Sequence, residues 1–187
     1  MAHNNRTRLN TFHLFSGAGG GILADILLGH NPIGACEIEQ YPRDVLLARQ
    51  ADGHLPQFPI WDDVATLDGN PWRGSVDILC GGWPCQDISV AGLRRGLAGA
   101  RSGLLFHMID FAQASGAGAI VAENVPNLLR LESGENFKLT LEAFEEAGYP
   151  FVVWRVLNAR QFGLPHERRR VFLVASQERD TALKLLR

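Results

Sequence analysis

Lysine is almost missing from this chain: of its 18 basic residues only Lys138 and Lys184 are lysines, and the rest are arginines. Arginine is the better fork for phosphates and base edges, although a GC-rich genome produces the same bias, so placement matters more than content. A surplus of either charge is missing as well. With a formal net charge of −2, the chain has no global basic field that would hold nucleic acid non-specifically, and any such contact must be local. Cysteine is scarce too. Cys36, Cys80 and Cys85 are odd in number, form no C-x-x-C pair and join no histidine at zinc spacing. A closed disulfide framework and a sequence-legible metal module are both excluded, which suits a reducing cytoplasm. No apolar stretch is long enough to cross a bilayer, and the polar residues 1–10 lack the core of a signal peptide. The chain is therefore expected to be soluble, cytoplasmic and without a membrane partner.

What is present reads as an ordinary globular chain. Its 187 residues, 46% hydrophobic and 20% charged, support a flexible tail over 1–10 and one folded domain over 11–187. Apolar runs at Thr11 to Phe15, Pro32 to Ile38, Val76 to Cys80, Ala119 to Ala122, Phe151 to Leu157 and Val171 to Ala175 predict buried strands. Gly20 to Leu28, Tyr41 to Gln50, Gly103 to Ala114 and Phe137 to Ala147 predict helices, the last stopped by Gly148 and Pro150. Strand-helix alternation of this kind implies an α/β fold with a mostly parallel sheet covered on both faces. The connection from Leu157 to Val171 contains Gly163 and Pro165 and no convincing helix. A closing hairpin is expected there, leaving an antiparallel strand at one edge.

Two features point to a small-molecule site. The Phe15-Ser16-Gly17-Ala18-Gly19-Gly20 loop joins the first strand to the first helix, where backbone can approach a ligand beside a helix N-terminus. Its spacing departs from G-x-G-x-x-G, so the loop alone is either a cofactor cradle or a tight glycine-rich turn. Glu37 closes the second strand about twenty residues farther on, placed to accept both hydroxyl hydrogens of a ribose; a surface glutamate is the plain alternative, with Glu39 nearby. Loop and acid together imply a nucleoside-bearing cofactor at the point where the strand order reverses.

A second set carries reaction chemistry. Trp83-Pro84-Cys85-Gln86 follows the strand Val76 to Cys80 through Gly81-Gly82, which puts Cys85 on a turn at a strand's carboxyl end. Cys85 is a structural cysteine, a redox thiol or a covalent nucleophile, and its position favours the nucleophile. No resolving cysteine stands two or three residues away, and the P-C-x-x-C pattern of zinc deaminases is absent. Glu123-Asn124-Val125 ends the strand Ala119 to Ala122 and places a carboxylate at the same edge. A buried Glu123 is expected to resist ionisation and donate to a ring nitrogen, unless it caps a helix or sits in a salt bridge. In Arg168-Arg169-Arg170, strand alternation turns Arg168 and Arg170 to one side, converging on a site or guarding a solvated edge. Arg94, Arg95 and Arg101 lie in a glycine-rich stretch, closing over a phosphate backbone or decorating a loop.

These motifs, in order over nearly the whole chain from Thr11 to Ser176, resemble the DNA cytosine-5 methyltransferase family, the Dcm-like enzymes. Phe15 to Gly20 is similar to the family's first motif, Trp83 to Gln86 to its nucleophile motif, Glu123 to Val125 to its acid motif, and Arg168 to Arg170 to its Q-x-R-x-R motif. The resemblance implies a Rossmann-like, S-adenosylmethionine-dependent fold. Phe15, Gly17 and Gly19 would surround the methionine end, with Ser16, Ala18 and Gly20 in the same cofactor-binding loop. Glu37 would hold the ribose, Ile38, Asp63 and Val64 would meet the adenine, and Pro84 and Leu104 would line the same pocket. It implies further that Cys85 adds to C6 of a flipped-out cytosine, with Glu123 at N3 and Arg168 at O2, beside Arg170, and no metal. Gln86, Ser89, Arg94, Arg95 and Arg101 would face DNA.

Departures from the family pattern shape the expectation. Relatives continue past the arginine motif into a target-recognition domain and two more motifs, whereas this chain ends at Arg187, and His166 stands where the family often has Gln. A short form without that domain is expected. It would work with a second polypeptide or as a homodimer, methylate DNA with little sequence preference, or persist as an inactive binding remnant. Restriction-modification, phage self-protection and an orphan role all stay open.

Overall fold

A computed structural model describes residues 8–84 and 103–186. Its elements are β1 (Asn10–Leu14), α1 (Gly20–Leu27), β2 (Asn31–Cys36), α2 (Gln40–Ala51), β3 (Ile60–Trp61), β4 (Ile78–Gly81), α3 (Leu104–Ser115), β5 (Ala119–Asn124), α4 (Glu135–Glu146), β6 (Phe151–Asn158), β7 (Arg169–Ser176) and α5 (Arg179–Leu185). The strands form one sheet in the order β3-β2-β1-β4-β5-β7-β6. Pairing is parallel from β3 through β5, and β7 runs antiparallel to both β5 and β6. The α/β reading with a mostly parallel sheet and a closing hairpin therefore holds. The reversed strand is β7, one place in from the edge, because the hairpin folds back so that β7 rather than β6 pairs with β5.

Central strands were legible as unbroken apolar runs because both their faces are covered. On one face, α3 buries Leu105, Met108, Phe111 and Ala112 in a large cluster with Phe12, Leu14, Leu79, Ile120 and Ala122 of the sheet. Phe12 packs there against Phe111 in a tilted pair, with ring centroids 4.6 Å apart. A smaller cluster joins Ile22 of α1 and Leu46 of α2 to Ala35, Leu55 and Phe58.

Several elements differ from expectation: β2 stops at Cys36, so Glu37 and Ile38 lie just beyond it, and β7 starts at Arg169 rather than Val171. β5 runs on through Glu123 and Asn124, since their backbones continue the ladder with Phe172 and Val171 of β7. α5 was not legible: seven residues are too few to display a helical period, and its buried Ala182 shows that packing decides it. Among the described residues no helix is long and apolar enough to cross a membrane.

Candidate active site

Side chains along a strand alternate between faces, and that rule builds the site. Phe12, Leu14, Leu79, Ile120, Ala122 and Leu173 go to the main core. Their neighbours His13, Cys80, Val121, Glu123, Arg170 and Phe172 line the other face, where a cleft of about 830 Å³ runs from α1 to the β6–β7 hairpin.

At the hairpin end, Oε1 of Glu123 lies 2.7 Å from Nε of Arg170 and 3.7 Å from Nη2 of Arg168. Arg169 turns away to solvent, as alternation requires. The Glu123 side chain is 29% exposed, so an open cleft and two guanidiniums surround it. The buried acid expected from the sequence is therefore not what the fold builds, because the extended β5 aims Glu123 into the cleft. Gly82 lies directly against it: a Cβ at that position would sit 2.8 Å from Oε2 of Glu123.

From Gly82 the chain passes into Trp83, which is buried in the core. The Trp83 carbonyl accepts a hydrogen bond from Nδ2 of Asn124 at 2.9 Å, while Oδ1 of Asn124 accepts from the backbone N–H of Val125 at 2.8 Å. Asn124 thus ties the acid segment to the segment leading toward Cys85. Pro84 is exposed. Cys85, Gln86, Ser89, Arg94, Arg95 and Arg101 lie outside the described residues.

The glycine-rich loop stands at the carboxyl ends of β1 and β2. Phe15 has a φ of 54° and Gly17 one of 52°, and the N–H of Gly17 donates to Oε2 of Glu37 at 2.7 Å. The N–H of Glu39 donates to the other carboxylate oxygen at 2.9 Å. Each oxygen keeps a lone pair, so Glu37 still has capacity for hydroxyl donors. The space where Gly17 and Gly20 lack side chains is open, whereas Gly19 is packed against Leu46. Ser16 binds back to the carbonyls of His13 and Cys36, and Ala18 is exposed.

Ile38 is exposed beside this loop. Asp63 accepts from the N–H of Ala65 at 2.9 Å and so caps the turn that buries Val64. Leu104 opens α3 and packs on the core. Burial first, then the carboxylates of Asp63 and Glu37, push the Cys36 thiol up to about 12. The end of β2 is thus an acidic rim, which suits hydroxyl-bearing rather than anionic groups.

One grouping escaped the sequence reading. His13, Asp25 and Cys80, from β1, α1 and β4, meet in the cleft wall. Nε2 of His13 is 2.8 Å from Oδ2 of Asp25, and Sγ of Cys80 is 3.9 Å from the same oxygen. The only signal was a histidine inside an apolar strand, and linear spacing cannot show that β1 and β4 are neighbours.

Residues 9–184 match the family model described as C-5 cytosine-specific DNA methylase. The chain is 37% identical over 171 residues to the Type II methyltransferase M2.BsuMI of Bacillus subtilis, covering 89% of this chain and 42% of that protein. It is 34% identical over 164 residues to the Type II methyltransferase M.NgoBI of Neisseria gonorrhoeae, with coverages of 88% and 49%. The chain thus spans less than half the length of either relative. Among solved structures, the S. pombe Dnmt2 methyltransferase superposes with a TM-score of 0.68 at 20% identity, over 90% of this chain and 51% of that one. At that identity the likeness concerns the fold.

Proposed function

The chain belongs to the C-5 cytosine-specific DNA methylase family, and from that membership we propose that it carries the catalytic domain of an S-adenosylmethionine-dependent DNA cytosine-5 methyltransferase acting through Cys85. The observation that carries the reading is the Glu123–Arg170–Arg168 cluster. It stands at the end of β5 against Gly82, three residues before Cys85.

The residues near the glycine loop fit a nucleoside-bearing group. Glu37 has acceptor capacity for ribose hydroxyls, the open backbone of Gly17 and Gly20 leaves room for the methionine end, and exposed Ile38 offers an apolar flank for adenine. In this reading Asp63, Val64, Pro84 and Leu104 would complete the wall. When bound, S-adenosylmethionine supplies a sulfonium methyl group to a carbon nucleophile.

C5 of cytosine is a poor nucleophile until a group adds at C6. In this reading the Cys85 thiolate makes that bond, having given its proton to solvent. Glu123, having taken up a proton from solvent, hydrogen-bonds or protonates N3, Arg168 holds O2, and Arg170 fixes the Glu123 carboxyl group through its 2.7 Å contact. Loss of the C5 proton to a base and departure of the Cys85 sulfur then release the product. A cytosine stacked in a duplex cannot reach the cleft, so the base must flip out. Gln86, Ser89, Arg94, Arg95 and Arg101 would contact the DNA.

The test is tritiated-methyl transfer onto mixed DNA, read in parallel by bisulfite sequencing. Cys85→Ser is expected to abolish transfer while calorimetry with S-adenosylhomocysteine stays near wild type, and DNA bearing 5-fluorocytosine should trap a covalent complex at Cys85. Wild-type turnover by Cys85→Ser, or a trap mapping to another residue, overturns the reading. An inactive remnant predicts cofactor binding with no transfer by any preparation. A second polypeptide is favoured by one observation: Leu23, Leu27 and Leu28 of and beside α1 are exposed, and Leu28 borders the cleft. Transfer that appears only with a companion chain would mark that case.

A further inference from the structure

Three metal-binding side-chain types share the cleft wall, and the methyl transfer proposed above assigns none of them a role. His13 and Cys80 are register partners on the adjacent parallel strands β1 and β4, so alternation puts both on the cleft face. Asp25 reaches them from α1. One ligand atom from each residue lies within 4.8 Å of the other two. Two ligands held tetrahedrally by one ion at about 2.0 to 2.3 Å stand roughly 3.3 to 3.8 Å apart, so coordination requires the longest separation to close by about 1 Å, a rotamer-scale adjustment of the side chains.

The donor set decides which ion. A thiolate, an imidazole nitrogen and one carboxylate oxygen suit zinc-class cations, whereas magnesium and calcium take oxygen ligands. Three protein ligands on a cleft wall leave a fourth position open to solvent or a ligand, the pattern of accessible zinc sites. We infer that His13, Asp25 and Cys80 form a binding site for a thiophilic divalent cation of the zinc type, set in the cleft wall.

Binding replaces the 2.8 Å His13–Asp25 hydrogen bond. The Nε2 proton that bonds Asp25 is exchanged through solvent for one on Nδ1, Nε2 takes the metal, and the Cys80 thiol loses one proton to solvent. Without metal, burial and the neighbouring Asp25 carboxylate keep that thiol protonated; the cation reverses this balance. His13 precedes the glycine-rich loop, Asp25 follows it, and Cys80 precedes Gly82. A metal there would clip together the two ends of the cofactor loop and the strand leading to Cys85.

Cobalt titration of the tag-free full chain tests this, because a cobalt–thiolate bond gives a near-ultraviolet charge-transfer band. The band should appear at about one equivalent, survive in the Cys36→Ser/Cys85→Ser double variant, vanish in Cys80→Ser, and be displaced by zinc. Saturating zinc should raise the melting midpoint by roughly 5 °C in wild type and leave Cys80→Ser unmoved. Should Cys80→Ser fail to fold by circular dichroism, Asp25→Asn carries the same comparison. Absence of the band in wild type, or its persistence without Cys80 or Asp25, overturns the site. Methyl transfer is not the readout, so this result stands apart from that of the proposed function.

Discussion

Gly82 separates chemistry from stability at the level of a single residue. Its missing Cβ would meet Glu123 Oε2 at 2.8 Å, whereas a Cβ on the adjacent Gly81 would meet the Leu14 carbonyl and the Met108 terminal methyl, each at 2.7 Å. Glu123 is held on its other side by Arg170, so Gly82→Ala must displace the carboxylate. Methyl transfer is expected to fall on the order of a hundredfold, the scale of a misplacement near 1 Å, with far-ultraviolet circular dichroism unchanged. Gly81→Ala instead strikes backbone and core, and should lower the denaturant midpoint. Equal activity losses with equal stability losses in both variants would show that Gly82 has no special bearing on Glu123.

Strands β4 and β5 are parallel neighbours, and one side chain joins the segments that leave their carboxyl ends. Asn124 donates to the Trp83 carbonyl at 2.9 Å in a buried setting. Removing that donor strands a buried carbonyl, which costs about 1–3 kcal/mol. Asn124→Ala should therefore lose that much stability in urea and slow the proposed methyl transfer, while S-adenosylhomocysteine binding, which the proposed function puts at the β1 and β2 ends, stays near wild type. Asn124→Asp keeps an acceptor for Val125 and cannot donate to Trp83, so it should behave like the alanine variant. An aspartate variant with wild-type stability would show that the Trp83 hydrogen bond contributes nothing.

The molecule as a whole divides its labour between the two edges of the sheet. Glu37, Glu123 and the arginines stand at the carboxyl edge of the parallel strands, where α/β sheets gather ligands. At the opposite edge Tyr149, 1% exposed, donates its hydroxyl to the Ala117 carbonyl at 2.8 Å, joining the loop before β5 to the loop before β6. Burial pushes the Tyr149 phenol up to about 12 from its ordinary 10.0. A group raised in the folded state contributes its full stability below pH 10 and loses it as the pH climbs toward 12. Tyr149→Phe should cost about 1 kcal/mol at neutral pH. Its urea midpoint should then decline less steeply than that of wild type above pH 10. Parallel declines in the two proteins would remove Tyr149 from the alkaline transition.

Much of this was determined by local order along the chain. Apolar runs marked the central strands because both faces are covered, and the glycine loop, Glu37, Glu123 and the paired arginines were legible because strand ends and period-two alternation are local properties. What only the tertiary structure decided lies between elements. The antiparallel insertion of β7, the docking of α5, and the openness of Glu123 to the cleft depend on which strand a hairpin chooses. The meeting of His13, Asp25 and Cys80 depends on β1 and β4 lying side by side although 63 residues fall between Leu14 and Ile78. Contacts of that range cost chain entropy that nothing in a local window records, and the burial that offsets it exists only once the sheet has closed.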